Sequence, residues 1–269
     1  MEDEVSAYYE QFPEESRLTF GSSQLEFERS KEIIARAIPS PPARIVDVGG
    51  AAGAYSLWLA GQGYEVHLVD ASARLVEEAR ARSARATSPI ASLSVADARR
   101  LPQADGSAAV VLVMGPLYHL TEAADRGGSL QEAFRVLTSG GTVVVAAISR
   151  YASALDGLKR RLSLDPRFVK IRDRDLVDGQ HRNSTGNNDY FTTAYFHRPE
   201  GLRSELEAAG FQDVNIVGVE GPGWLLQDFD ARWKDDALRK DLIEAARILE
   251  SEPAIIGVSA HFIAMGRKA

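Results

Sequence analysis

A doubly wound α/β fold, a mostly parallel sheet with helices on both faces, is what this sequence predicts, and three observations predict it. Short runs rich in β-branched residues alternate with helical stretches from Arg44 to Ile148, the rhythm of parallel strands joined by helical crossovers. The first run leads into a glycine-bearing turn, Gly49-Gly50-Ala51-Ala52-Gly53. Acidic residues, Asp70 and Asp97, close the next two runs, where such a sheet delivers side chains to a ligand.

The elements follow in order. Residues 1–20 hold Tyr8, Tyr9, Phe12 and Phe20 among acids, enough aromatic surface to dock on the body of the protein. A helix is expected from Gln24 to Ile38, opened by a capping box in which Ser23 bonds a free amide while Glu26 reaches back; Pro39, Pro41 and Pro42 stop it. Ile45 to Val48 reads as a short buried strand, Ala54 to Ala60 as a helix ending near Gly61 and Gly63, and Glu65 to Val69 as the second strand. Ser72 caps a helix to about Ala86, and Ser92 to Val95 and Ala108 to Met114 form the third and fourth strands. Thr121 to Leu137 is helical, with Gly127 and Gly128 weakening its middle, and Gly140 with Gly141 turns the chain into a fifth strand, Val143 to Ile148.

Past Arg150 the alternation stops. The stretch that follows is too long for an ordinary connection and too rich in Tyr, Phe, Arg and His for a linker, so it reads as an inserted cap. Regularity resumes with Pro199 at a helix N1 position and Gly210 at its end. A sixth strand, Val214 to Val219, the Gly221-Pro222-Gly223-Trp224 turn, helical residues through Leu249 and a last strand from Val258 to Met265 complete the chain. The expected organisation is an N-terminal helical lid (1–42), a cofactor-binding α/β core (43–149), a cap over the substrate site (150–198) and the completion of the core (199–269).

Composition narrows the function. There are 31 basic and 38 acidic residues, a formal charge of −7, and no long basic stretch, which argues against a nucleic-acid partner. The arginines from Arg74 to Arg85 share a predicted helix with Glu77 and Glu78 and read as a solvated face. The absence of cysteine excludes disulfides, thiolate metal sites and cysteine nucleophiles and fits a reducing compartment. The opening Met-Glu-Asp-Glu has the wrong charge for a signal peptide, and the most apolar runs fall far short of the roughly 20 residues that span a bilayer. A soluble cytoplasmic protein with no membrane partner is expected; the sequence carries no sign of its oligomeric state.

The central feature is the turn from Asp47 to Gly53. Small residues let a ligand approach the backbone, and the following helix offers unpaired amides. Asp70, 23 residues beyond Asp47, is suited to grip the two hydroxyls of a ribose, and Asp97 to accept from the exocyclic amine of adenine. An adenosine therefore lies across the carboxyl edge of strands one to three. A dinucleotide fits poorly, because the Gly-x-Gly-x-x-Gly register from Gly49 puts Ala51 and Ala54 at the second and third glycines. Asp47 would also repel a pyrophosphate while attracting a cationic amino-acid moiety.

At these residues the chain resembles a known family, the class I S-adenosylmethionine-dependent methyltransferases of small-molecule type. The resemblance is carried by Asp47-Val48-Gly49-Gly50-Ala51-Ala52-Gly53, Leu68-Val69-Asp70, Ala96-Asp97-Ala98, Met114-Gly115-Pro116-Leu117-Tyr118-His119-Leu120 and Arg135-Val136-Leu137-Thr138-Ser139-Gly140-Gly141. It implies S-adenosylmethionine as cofactor, with methionine contacts from Asp47, Gly49, Gly50, Ala51 and Gly53. Ribose binding falls to Asp70 beside Ala71, adenine contacts to Asp97 and Ala98, and a backbone contact to Met114. It also implies a seven-stranded Rossmann-like sheet whose last strand runs antiparallel beside the sixth. The family usually has glycine where this chain has Ala51, and the added methyl narrows the approach to the cofactor.

Methyl transfer is an in-line displacement at an activated carbon, so alignment of the acceptor is the main task, and a base is needed only for a protonated acceptor. His119, after the fourth strand, is the candidate base, since imidazole titrates near neutrality; a capping or packing role is its alternative. Tyr118, His181, Tyr195 and Trp224 are the candidate pocket residues, each with packing as the alternative. His67 and His261 read as structural, His197 as part of a helix start, and no histidine and acid set has metal-ligand spacing along the chain, so no metal is expected. Tyr9 and Arg17 are candidates to fold over the cofactor, Arg17 pairing its carboxylate; deletion of residues 1–20 is then expected to weaken cofactor binding. The expected activity is methyl transfer to N or O of a small molecule, and the alternative is a non-catalytic nucleoside-binding or regulatory protein on the same fold.

Overall fold

Period-two alternation in the strands decides the architecture. In the computed structural model, which describes residues 18–269, β1 (Arg44–Val48), β2 (Glu65–Asp70), β3 (Ser92–Val95), β4 (Ala108–Val113) and β5 (Leu137–Ile148) form a parallel array, joined through helices except between β3 and β4, where a loop connects them. Val46, Val48, Val111, Val113, Val143 and Val145 point to one face and share a core with Leu130 and Leu202. Ile45, Val110, Leu112 and Val144 point to the other, against Ile33, Ile34 and Leu59. Strands apolar on both faces can only be covered on both.

The helices that cover them are α1 (Ser23–Ala37), α2 (Ala54–Gly61), α3 (Ala73–Ser83), the single turn α4 (Pro116–His119) and α5 (Ala123–Val136). After β5 come α6 (Ala152–Arg160), α7 (Pro166–Asp178) and a two-stranded ribbon, β6 (Gln180–His181) with β7 (Ala194–Tyr195) antiparallel to it. The chain then returns through α8 (Pro199–Ala208), β8 (Gln212–Gly218), α9 (Phe229–Lys234), α10 (Asp236–Leu249) and α11 (Pro253–Ile256) to β9 (His261–Arg267). The seven-stranded order is β3-β2-β1-β4-β5-β9-β8. The last strand is antiparallel to both β5 and β8, so β8 runs with the first five. The doubly wound sheet of the sequence reading is thus the observed one, with β9 inserted between β5 and β8.

Three details differ. Helix α1 starts at Ser23 itself, with Ser22 as N-cap and no side-chain cap. The Ser22 carbonyl instead accepts from the Leu25 and Glu26 amides at 3.1 and 3.3 Å, so the expected Ser23–Glu26 box does not form and Glu26 is buried. Strand β5 begins at Leu137, six residues before the expected Val143, because Gly140 and Gly141 exchange backbone bonds with Lys268 at 2.7 and 3.0 Å. Strand β9 starts at His261 because Pro253, at N1 behind the Glu252 cap, folds the preceding apolar run into α11.

The segment after β5 is tied to its root by Arg150, which is buried. Its amide donates to the His197 carbonyl at 2.7 Å and its Nε to the Phe196 carbonyl at 2.8 Å. Among the described residues no helix is long and apolar enough to cross a membrane.

Candidate active site

The turn between β1 and α2 is drawn against the sheet by its own amides: Gly49 and Gly50 donate to the Val69 carbonyl at 2.7 and 3.3 Å. Side chains are excluded there. A Cβ on Gly49, whose φ is +74°, would sit 2.5 Å from Cδ of Pro116, and one on Gly50 would sit 2.8 Å from Cγ of Leu68. Asp70 fixes the crest of the turn: its Oδ2 accepts from the Ala51 amide at 2.9 Å and its Oδ1 from the Ser72 amide at 2.8 Å. Burial raises the Asp70 pKa and these two amides oppose the rise. Each carboxylate oxygen keeps a second lone pair, which is what two ribose hydroxyls require.

One cleft runs along this edge of the sheet, and Gly49, Gly50, Ala51, Asp70, Ala71 and Asp97 line it; Ala98, Met114, Tyr118 and His119 close its far side. Most of the sequence-predicted cofactor residues therefore converge on one surface. Gly53 and Asp47 do not line it. Gly53, at φ +82°, is the N-cap of α2 and shapes the turn from below. Asp47 is fully buried behind the turn. Its Oδ2 accepts from Ser56 Oγ at 2.6 Å, and a Cβ on Gly50 would lie 3.0 Å from that oxygen. The expected direct contact of Asp47 with a ligand is corrected to support from beneath, since β-strand alternation turns its side chain under the loop. Burial, with the nearby Asp70 charge, pushes the Asp47 carboxyl up to about 6.

Asp97 is held by Arg99, whose Nε and Nη2 donate to its two oxygens at 2.8 and 2.6 Å. That pairing lowers its pKa to about 2, so it is an acceptor at every physiological pH. Arg82, read from the sequence as part of a solvated face, instead turns inward, lines the cleft and donates to the Ala52 carbonyl at 2.8 Å. Tyr9 and Arg17 lie outside the described residues, as does most of the segment expected to act as a lid.

A second cavity of about 440 Å³ adjoins the first over the ends of β5, β8 and β9, and Tyr118 lines both. The Tyr118 hydroxyl donates to the Met114 carbonyl at 3.2 Å, and its ring meets His119 edge-on at 4.7 Å between centroids. His181 and Trp224 line this second cavity, and both are anchored. His181 Nδ1 contacts Asp175 Oδ2 at 2.9 Å and its Nε2 the Tyr190 carbonyl at 2.7 Å, while Trp224 Nε1 donates to the Val258 carbonyl at 2.8 Å. Each offers the cavity a fixed face.

Tyr195 is corrected. It lines neither cavity, because in β7 it is Ala194 that faces Ile148 and Phe196. Its ring lies 3.6 Å from the Arg126 guanidinium carbon and edge-on to His197 at 4.7 Å. His67 contacts Ser92 and Glu65 through its two nitrogens. His197 bonds Glu205 at 3.1 Å, and burial lowers its pKa.

The sequence reading missed a group that the fold assembles from three distant segments. Glu26, Glu220 and His261 line the second cavity, with one ligating atom of each within 4.8 Å of the others. Glu220 Oε1 accepts from His261 Nδ1 at 2.5 Å and its Oε2 from the His261 amide at 3.1 Å. No signal along the chain joins positions 26, 220 and 261.

Residues 45–141 match the family model of the methyltransferase domain. Over this stretch the chain is similar to methyltransferase domains, and its seven-stranded sheet has the Rossmann-like methyltransferase fold. The Gly49–Gly53 turn, Asp70 and Asp97 all lie within the matched stretch. Solved structures share the fold. One is an S-adenosylmethionine-dependent methyltransferase from Methanosarcina mazei, 16% identical, covering 88% of this chain and 96% of that one at a TM-score of 0.59. Another, from Thermotoga maritima, is described as a possible histamine N-methyltransferase; it is 18% identical, with 98% and 99% covered and a TM-score of 0.59. A third is phosphoethanolamine N-methyltransferase 2 of Haemonchus contortus in complex with S-adenosylmethionine, 16% identical, with 90% and 52% covered and a TM-score of 0.58. No curated protein matches the sequence.

Proposed function

We propose that the protein is an S-adenosylmethionine-dependent methyltransferase that binds its cofactor along the first cleft and acts on a nitrogen or oxygen of a small molecule held in the second cavity. The observation that carries the reading is the junction at Tyr118: a side chain that lines both the cofactor cleft and the adjoining cavity of about 440 Å³. That volume suits a small ligand, and the net charge of −7 disfavours a polyanionic acceptor.

S-adenosylmethionine supplies a methyl carbon activated by its sulfonium. The protein supplies position. Asp70 and Asp97 accept hydrogen bonds along the cleft, and Gly49 and Gly50 allow the close approach that a Cβ would block. Tyr118 orients the acceptor at the junction. His119, in the same α4 turn, takes the proton that a hydroxyl or ammonium acceptor must lose. The residues between β5 and α8 exclude water from the acceptor side.

The test is incubation with methyl-labelled cofactor and a fractionated metabolite extract. Label in a compound of low mass is expected. Transfer only to protein or RNA, or no transfer by material that binds S-adenosylhomocysteine, rejects the reading; the second outcome leaves a nucleoside-binding protein.

A further inference from the structure

The second cavity is lined by aromatic faces, Tyr118, Phe168, Tyr190, Phe191, Phe196 and Trp224, and by four carboxylates, Glu26, Asp156, Asp189 and Glu220. Its two permanent cations are answered locally. Arg160 pairs with Asp156 at 3.2 Å and with Asp189 at 3.1 Å, and Lys159 donates to the Trp224 carbonyl. Glu220 is different. It is 2% exposed, no lysine or arginine among the described residues pairs with it, and its hydrogen bonds come from the ring and amide of His261, which matches its charge only when the imidazole is protonated. Buried carboxylates are ordinarily matched by a cation, and aromatic faces attract one.

Resting on the methyl-transfer reading above, we infer that the acceptor carries an ammonium group, bound at the Glu26–Glu220–His261 end of the cavity. The ammonium anchors the molecule, and a different atom receives the methyl group. The sheet register gives the separation. Val113 pairs with Val145 and Val145 with Ala264, while Ile148 pairs with His261. His261 thus lies two strand spacings, about 10 Å, across the sheet from β4 and three residues, about 10 Å, further along it than the end of β4. A compact cation does not bridge that gap; an amine with its nucleophile several bonds away does.

A metal ion is the competing occupant, since one atom from each residue lies within 4.8 Å of the others. The 2.5 Å between His261 Nδ1 and Glu220 Oε1 opposes it, because two ligands on one tetrahedral ion at bonds of about 2.1 Å stand about 3.4 Å apart. Six aromatic side chains around the same space also suit an organic cation better than a hydrated ion.

Calorimetry on the complex with S-adenosylhomocysteine tests the inference, using 2-phenylethylamine, 2-phenylethanol and phenylacetate as cationic, neutral and anionic probes of one shape. The amine is expected to bind at least tenfold more tightly than the alcohol, with phenylacetate weakest. Glu220→Gln, and separately Glu26→Gln, should remove that preference while S-adenosylhomocysteine affinity, the control for folding, stays within threefold. Equal or better binding of the alcohol or the acid overturns the inference, as does an amine preference that survives both variants. So does stabilisation by Mn²⁺ or Zn²⁺ that both variants abolish, which reassigns the group as a metal site. Failure to bind S-adenosylhomocysteine is a separate result and counts against the methyl-transfer reading itself.

Discussion

Ala51 stands at φ 46°, a left-handed conformation in the turn that lines the first cleft. A Cβ in that region costs about 1 to 2 kcal/mol, and the bond from the Ala51 amide to Asp70 helps hold the residue there. Ala51→Gly is expected to raise stability in urea by about 1 kcal/mol and to leave or improve affinity for S-adenosylhomocysteine; lower stability would mean that the methyl packs favourably. Asp47 is the second strained residue, electrostatically. Its carboxyl titrates at about 6 in the fold against 3.8 for the free side chain, chiefly through burial. The native state therefore binds the Asp47 proton more tightly than the unfolded chain. Its contribution is intact below pH 3.8 and is lost as the pH rises through 6, a loss on the order of 3 kcal/mol. Asp47→Asn should thus be more stable than the parent at pH 8, with the difference shrinking towards pH 4; a pH-independent difference would contradict this origin.

At the scale of elements, one arginine joins the α4 turn, α5, α8 and β7. Arg126 of α5 has a side chain only 3% exposed. Its Nη1 donates to the carbonyls of Leu120 and Thr121 at 3.1 and 2.8 Å, just after the turn bearing Tyr118 and His119. Its Nε reaches Glu205 of α8 at 2.9 Å, and its guanidinium covers the ring of Tyr195 in β7. Arg126→Met leaves Glu205 without its partner arginine in a partly buried position, and breaking such a pair costs about 3 to 5 kcal/mol. Chemical denaturation should show that loss, together with a fall in kcat as His119 and Tyr118 lose their support. A loss below 1 kcal/mol would mean that water replaces the guanidinium.

Among the described residues, the seven-stranded sheet carries two adjoining cavities over its carboxyl edge, which meet at Tyr118. Because the cofactor cleft exists only in the folded chain, ligand binding adds directly to stability. S-adenosylhomocysteine at a hundred times its Kd is expected to add about 2.7 kcal/mol, visible as a raised Tm. Asp70→Ala removes acceptors for the Ala51 and Ser72 amides as well as for the ribose, and should weaken binding by about 1 to 3 kcal/mol and shrink the Tm shift accordingly. An unchanged shift would mean that Asp70 serves the turn alone.

The sequence by itself determined the sheet and the cofactor edge, because both are written in local chemistry. Continuous apolar runs rich in β-branched residues specify strands buried on both faces, the Gly49–Gly53 turn cannot accommodate side chains at Gly49 or Gly50, and Asp70 ends β2 while Asp97 follows β3, strands whose direction follows from helical crossovers. Where sequence reading went astray, competition between neighbouring groups was the cause: the Ser22 carbonyl in place of a Ser23 cap, Pro253 starting α11 inside an apolar run, Arg126 drawing Tyr195 away from the cavity. Only the tertiary structure decided the acceptor side. Glu26 arrives on α1, Glu220 after β8 and His261 at the start of β9, and β9 lies between β5 and β8 through hydrogen bonds to both. Proximity created by strand order leaves no periodicity, spacing or composition along the chain, so no reading of one dimension contains it.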